Sequence, residues 1–346
     1  VLASRYVFTD LLRLGAAYLR WNIRTFKKGE LIVNNKKWYF LGISLIVLSF
    51  AGTACQPLDF VDKLPAYEQK WTFTQDELNA LVIDSEYDVN MEFIASPDDT
   101  NYVEITGNMQ QNTIDQLKAT EITGNALELQ LQKDVKLAAP NYKSIKTRII
   151  VALADDTRLQ QISYKSGSGN TSFIGLKAEN IDLSVSAGKL HAEAITAGRL
   201  SLTSKSGDIT AERIQGDAEI QLHSGDIKVD GLKGALKVQS TSGSITAVDV
   251  DGSADTSLHS GNIKFDRFTG NGVFKSTSGN ITLTGQRSDG LDISIRTGDV
   301  TLSPDPEFKG FFDLKTTSGH ITAPESPQET TDVIKVRAAS GDIRIR

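Results

Sequence analysis

Two acidic residues 18 positions apart, Asp208 and Asp226, each directly follow a glycine in the phrases Ser206-Gly207-Asp208-Ile209 and Ser224-Gly225-Asp226-Ile227. Carboxylates stacked at that interval can bind Ca²⁺ or share acid–base work of the kind that cleaves polysaccharides. The equivalent places further on hold Ser244, Asn262 and Asn280, so charge is diluted where a site would concentrate it. Asp and Asn after a glycine also have a backbone role, since they bond back to the main chain in tight turns. Turn chemistry is therefore the preferred reading, with calcium and catalysis as alternatives. The sequence carries no Gly-Gly-x-Gly-x-Asp calcium repeat.

Other candidate chemistry is sparse. Of the four histidines, His223 and His259 share an offset two repeats apart, which predicts a separation of ~10 Å, too far for one zinc ion. His191 and His320 fall at other offsets. Serine is abundant, but no Gly-x-Ser-x-Gly elbow with partners appears. Gly167-Ser168-Gly169 resembles a phosphate loop only superficially, because no Lys-Ser/Thr follows it. The residues therefore predict a non-enzymatic protein without cofactor or metal. The most suggestive surface lies near Ser303-Pro304-Asp305-Pro306-Glu307-Phe308 and Pro324-Glu325-Ser326-Pro327-Gln328-Glu329. Prolines keep such segments out of a ladder, so they form loops. Phe308, Phe311 and Phe312 lie alongside, as a partner or glycan contact or as packing for the final repeats.

The elements that would hold these residues are dictated by a repeat. Glycines at 169, 188, 207, 225, 243, 261, 279 and 298 are spaced by 18 or 19 residues, and the gaps to Gly319 and Gly341 widen to 21 and 22. A period of this size marks a solenoid in which each repeat is one coil. Counting from each glycine, Ile209, Ile227, Ile245, Ile263 and Ile281 fall at offset two; Ala211, Val229, Ala247, Phe265 and Leu283 fall at offset four. That is the period of a strand with one buried face. Offset seven adds Ile214, Leu232, Val250 and Phe268, and offsets thirteen and fifteen start a second strand with Ile220 and Leu222. Phe265, Phe268 and Phe274 fall inward and read as core.

The expected fold is all-β, a parallel β-solenoid of 18–19 residues per coil with glycine at the corner. A right-handed β-helix follows from the preference of parallel crossovers. The hexapeptide version fails, because Gln215 and Gln221 occupy places that need aliphatics. The serine before each corner is expected to form a hydroxyl ladder. Arg344 and Arg346, outward at the end of the last repeat, are expected to guard an open edge. Residues 71–165 alternate without the glycine period and are expected to form a β-rich N-terminal cap before the 166–346 solenoid.

The 346-residue chain carries a net charge of −6 and one cysteine, so no internal disulfide is possible. Residues 1–37 hold eight Lys or Arg against two Asp or Glu, a net +6, which leaves −12 on the remainder. An acidic body argues against a nucleic-acid partner. Residues 38–55 read as a signal or anchor segment: Trp38 to Ala54 is apolar or small, follows Lys36-Lys37 and precedes Cys55. Seventeen residues sit at the short limit of a membrane span, roughly 17–25 residues, and the basic flank places the rest outside the cell. Gly52-Thr53-Ala54-Cys55 resembles a bacterial lipobox, which implies lipidation of Cys55; Gly52 stands where Leu is usual. An uncleaved anchor and a cleaved signal are the alternatives. Residues 1–37 form a basic cytoplasmic tail, or their first 32 are a translated upstream region with Val33 as the start; residues 56–70 read as a linker.

The apolar segment, the alternating lead-in and the serial Ser-Gly-Asp-Ile or Ser-Gly-Asn-Ile coils together resemble the bacterial "putative adhesin" β-helix family, which includes LiaG-like envelope proteins. The resemblance covers residues 76–346 and implies a β-helix on the outer face of the cell membrane, with no catalytic residues. It implies an adhesin-like binding or structural role, with cell-wall polymer or an envelope protein as partner. An accessory role in envelope-stress regulation and a polysaccharide-active β-helix enzyme are the alternatives.

Overall fold

The computed structural model describes residues 64–133, 146–154, 157–286 and 290–346. The repeats form a parallel β-solenoid, and the column of isoleucines shows its register. Ile209 pairs with Ile227, then Ile245, Ile263 and Ile281, each one coil further on. All five are buried. The second strand of each coil stacks in the same way, with Ile220 beside Val238, then Thr256 and Phe274. Inward residues at offset eleven, Ala218, Leu236, Ala254 and Gly272, and Leu291 at offset twelve of its longer coil complete the core. Phe265, Phe268 and Phe274 meet edge to face within it, at centroid distances of 4.9–5.9 Å. Gly272 makes room for them, since a Cβ there would stand 2.6 Å from the Phe274 ring and 3.0 Å from that of Phe268.

The corners are joined mainly through the backbone. Gly207 N–H donates to the Ser224 carbonyl at 3.0 Å, and Gly243 N–H to that of Ser260 at 3.1 Å. The expected hydroxyl ladder is absent among the described residues, because Ser206, Ser224 and Ser260 are exposed to solvent. A second glycine column, Gly216, Gly234, Gly252 and Gly270, turns the opposite corner with positive φ. Between the two corners lies a third left-handed position, filled by Ala194, Arg213, Gly231, Asp249, Arg267 and Gly285. It makes the bend that precedes the inward residue at offset seven.

Both ends of the stack depart from chain order. Strand Gly290–Thr297 pairs not with Phe311–Ser318 but with Val333–Ser340, and Val333–Ser340 then pairs with Phe311–Ser318. The same inversion joins Val300–Pro304 to Ile343–Ile345 and Ile343–Ile345 to Ile321–Thr322. The final repeat is thus inserted beneath its predecessor, and residues 311–322 form the outermost coil. The widened glycine gaps hold the connections that skip a layer and return. Arg344 and Arg346 therefore guard no edge: strand Ile343–Ile345 has a partner on each side, and the open edge belongs to Phe311–Ser318.

The N-terminal end mirrors this. Strand Ala80–Ser85 lies between Ala126–Leu131 and Leu159–Ser166, parallel to both. Strand Asp88–Ala95 lies between Lys146–Leu153 and Thr171–Ile174. The coil containing residues 126–131 and 146–153 is therefore outermost, although it follows residues 80–95 in the chain. Antiparallel strands Asn101–Asn108 and Ala66–Phe73 extend from it. The single helix of the described residues, Gln111–Lys118, buries Thr113, Ile114 and Leu117, and it packs on strand Ala126–Leu131.

The two kinds of glycine site predict different mutational costs. At Gly243, with φ of +111°, a Cβ would overlap the Gly225 carbonyl; at Gly231, with φ of +70°, nothing stands nearer than 3.8 Å. Gly231→Ala is expected to cost about 1 kcal/mol, the left-handed penalty alone. Gly243→Ala is expected to cost about 3 kcal/mol or more, because the neighbouring coil must also move. Equilibrium urea unfolding of the two variants checks the difference.

Candidate functional site

The turn carboxylates are engaged by the next coil. Asp208 Oδ1 accepts the backbone N–H of Asp226 at 3.2 Å, and Asp226 Oδ1 accepts that of Ser244 at 2.8 Å. Asn262 and Asn280 do the same for Asn280 and Asp299, both at 2.9 Å. The role is a turn role, as expected, but the bond runs between coils and not back within one turn. An amide serves as well as a carboxylate in it, which accounts for the mixture of Asp and Asn in the column. Among the described residues no three His, Cys, Asp or Glu side chains gather as a metal site. His223 and His259 are exposed on separate layers, His191 bonds Glu193 at 2.9 Å, and His320 is exposed beside Asp342 at 3.7 Å.

A depression of about 1080 Å³ follows the second glycine corner across successive coils. Its cations are all paired: Glu219 receives Arg199 at 2.6 Å and Lys237 at 3.0 Å, and Asp292 receives Lys335 at 2.8 Å, while Asp217, Asp255 and Asp332 in the lining form no ion pair among the described residues. Lys237 above all holds the Glu219 carboxyl below the ordinary range. Such exposed pairs contribute only about 0–1 kcal/mol each.

The three phenylalanines singled out in the sequence gather at the outermost coil. Phe308 and Phe312 stack at 5.2 Å, and both are partly buried against the core. Phe311 points outward and is 39% exposed, while Ile321, last in the isoleucine column, is 44% exposed. In a middle coil the Ile321 position would be sealed by the next layer. The proline-rich loop partly covers this end, with Ser326 Oγ accepting the Phe312 N–H at 2.9 Å. Phe311–Ser318 has a strand partner on one side only. Cys55 and the apolar segment 38–55 lie outside the described residues.

The inserted coil is fastened by charge. Asp299 Oδ1 accepts the Asp342 N–H at 2.9 Å and Oδ2 meets Arg344 at 3.0 Å. Asp342 then accepts the His320 N–H at 2.9 Å and pairs with Arg344 at 2.5 Å. The Asp342 N–H, then Arg344, hold the Asp299 carboxyl below its usual 3.8.

These features accompany a clear family match. Residues 78–267 and 253–346 fit the model of the Toastrack DUF4097 family, and the chain belongs to that family. Among solved structures it is similar to a putative adhesin from Bacteroides fragilis NCTC 9343, with 16% identity over 82% of this chain and 97% of that one, at a TM-score of 0.34. It is also similar to a putative lipid binding protein from Parabacteroides distasonis ATCC 8503, with 15% identity over 81% and 97% of the two chains and a TM-score of 0.38. A putative adhesin from the same organism shares 14% identity over 81% and 97%, with a TM-score of 0.41. No curated protein matches the chain.

The Asp299 contacts predict an acid response. A carboxyl whose folded-state pKa is lowered adds stability that is complete above the unfolded value and is lost as pH falls through the folded one. Urea midpoints between about pH 6 and about pH 2.5 are expected to fall less steeply for Asp299→Asn than for the parent. The amide keeps the bond to the Asp342 N–H, as Asn262 and Asn280 do in their own layers.

Proposed function

We propose that this protein is a non-enzymatic, adhesin-like binding protein of the bacterial cell envelope, wound as a right-handed β-helix and held at the outer face of the membrane. Residues 38–55 provide the tether, through lipid on Cys55 or as an uncleaved span. The observation that carries the binding role is the outermost coil, where Phe311 and Ile321 are exposed beside the Phe308–Phe312 stack. Apolar side chains clustered at the open end of a stack are what a docking surface requires, since burying them on a partner releases water. Family membership supports a stacked-coil scaffold, and the engagement of Asp208 and Asp226 in the coil ladder speaks against their use as an acid–base pair. The partner that suits the tethered geometry is a wall polymer or another envelope protein.

A photoreactive phenylalanine analogue at position 311, used in intact cells, tests the reading. Crosslinks to wall polymer or an envelope protein are expected, and a matched probe at Glu68, on the opposite end of the stack, should not produce them. Identical products from both positions, or none from 311, would remove the end surface as the binding site. Membrane fractionation of Cys55→Ala tests the tether: release from the membrane marks a lipid, retention marks an uncleaved span, and a parent protein found only in the cytosol defeats the placement.

A further inference from the structure

One outer wall near the C-terminal end carries a row of cations that nothing above uses. Strand pairing sets Lys275 beside Ser294, Ser294 beside Arg337, and Arg337 beside Lys315. These four residues form one outward column across four successive layers. In the layer that contributes Ser294, Arg296 projects from the same strand two residues on and therefore to the same face. Each layer thus supplies one positive charge, at the inter-strand spacing of about 4.8 Å. The four cations line a shallow depression of about 490 Å³ together with the hydroxyls of Ser257, Thr277, Ser294 and Thr317.

The neighbouring column shows how unusual this is. It runs Glu219, Lys237, Asp255, Val273, Asp292, Lys335, Asp313, so that charges of opposite sign face one another. Like charges directly opposite on paired strands are destabilising, yet Arg337 and Lys315 stand in that relation. Arg337 is partly neutralised by Asp313. Lys275 and Arg296 are exposed and have no acidic ion-pair partner among the described residues, and Lys315 is exposed and meets Asp313 only through its field, without an ion-pair contact. They stand on a chain whose net charge is −6. Cations kept on one face, one in each of four successive layers, match a linear polyanion.

We propose that this row binds a linear acidic glycan, a sugar polymer bearing carboxylate or phosphate groups, laid across the four layers along the solenoid axis. The four cations take the anionic groups and the flanking hydroxyls take sugar hydroxyls. No aromatic ring lines the depression, so bases of a nucleic acid would find no stacking platform. A lipid surface would call for a broad patch, whereas this one is a single residue wide in each layer. The proposal does not rest on the aromatic end surface, because none of its residues is Phe308, Phe311 or Phe312.

The test uses the full chain, kept soluble in a non-ionic detergent, with polygalacturonate as the carboxylate probe and phosphomannan as the phosphate probe. Methyl-esterified polygalacturonate and neutral mannan serve as uncharged controls. Binding to at least one acidic polymer is expected, weakening as salt rises. The variant Lys275→Gln/Arg296→Gln/Lys315→Gln should bind about tenfold or more weakly at an unchanged or higher thermal midpoint, because repulsion is relieved. Lys275→Arg/Lys315→Arg should bind like the parent. Binding to carboxylate alone, phosphate alone or both identifies the anionic group. The proposal is overturned by binding to neither acidic polymer, by equal binding of the uncharged controls, or by undiminished binding in the triple glutamine variant. Tighter binding of oligodeoxythymidylate or of phosphatidylglycerol vesicles also overturns it, reassigning the row to nucleic acid or membrane.

Discussion

At each corner of the stack, the carbonyl oxygen of one glycine fills the space in which a side chain on the next would begin. Gly225 meets Gly207 in this way, Gly243 meets Gly225, Gly261 meets Gly243 and Gly279 meets Gly261. Coils separated by about 4.8 Å can turn the corner together only if none of them carries a Cβ there. This contact sets the length of the repeat. With glycine columns at two opposite corners, the number of residues between corners cannot drift without turning an inward isoleucine outward. The Ile209 column, the Phe265–Phe268–Phe274 cluster and the ladder of Asp and Asn acceptors all take their register from it.

The side chains placed by that register do two different kinds of work. Inward positions fill volume, so Gly272 is small where three phenylalanines are large. Outward positions form columns in which each residue faces its equivalents one layer away, and chemistry is repeated along the axis instead of gathered at a point. Such a wall suits extended ligands better than compact ones. It also gives the paired carboxylates Asp208 and Asp226 a structural task, since each holds the coil that follows it.

Much of the coil was legible in the sequence, because a strict period imposes itself on every position that the core constrains. Offsets two, four, seven, thirteen and fifteen stand out because branched or aromatic residues recur there. Offset eleven does not, since Ala218, Leu236, Ala254 and Gly272 vary with the volume of their neighbours, and the column passes to offset twelve at Leu291. The second glycine column is visible as an 18-residue spacing of Gly216, Gly234, Gly252 and Gly270, but Gly188 has no such companion at offset nine, where Ala197 stands. The order of the end coils is not legible. A Ser-Gly-Asp-Ile phrase fits any layer, so Ser340-Gly341-Asp342-Ile343 carries no sign that it belongs beneath residues 318–321. The gaps of 21 and 22 residues are the only trace. The cation row stays hidden for the same reason, because Lys315 joins Arg337 and Lys275 only once the layers are correctly ordered. Phe308, Phe311 and Phe312 are legible as neighbours, whereas their place at the end of the stack is not.

The transposed coils at both ends bear on how the molecule responds to tension. A solenoid that ends where its chain ends can be unravelled one turn at a time, since its last strand is bonded along a single side. Here a pull on Arg346 acts on strands gripped from both directions, between residues 290–304 below and 311–322 above. Every bond of that layer must shear together before any turn can peel away. At the opposite end, residues 80–95 are clasped in the same manner. Residues 333–345 and 80–95 are thus held inside the stack, and the layers they build resist shear along both faces.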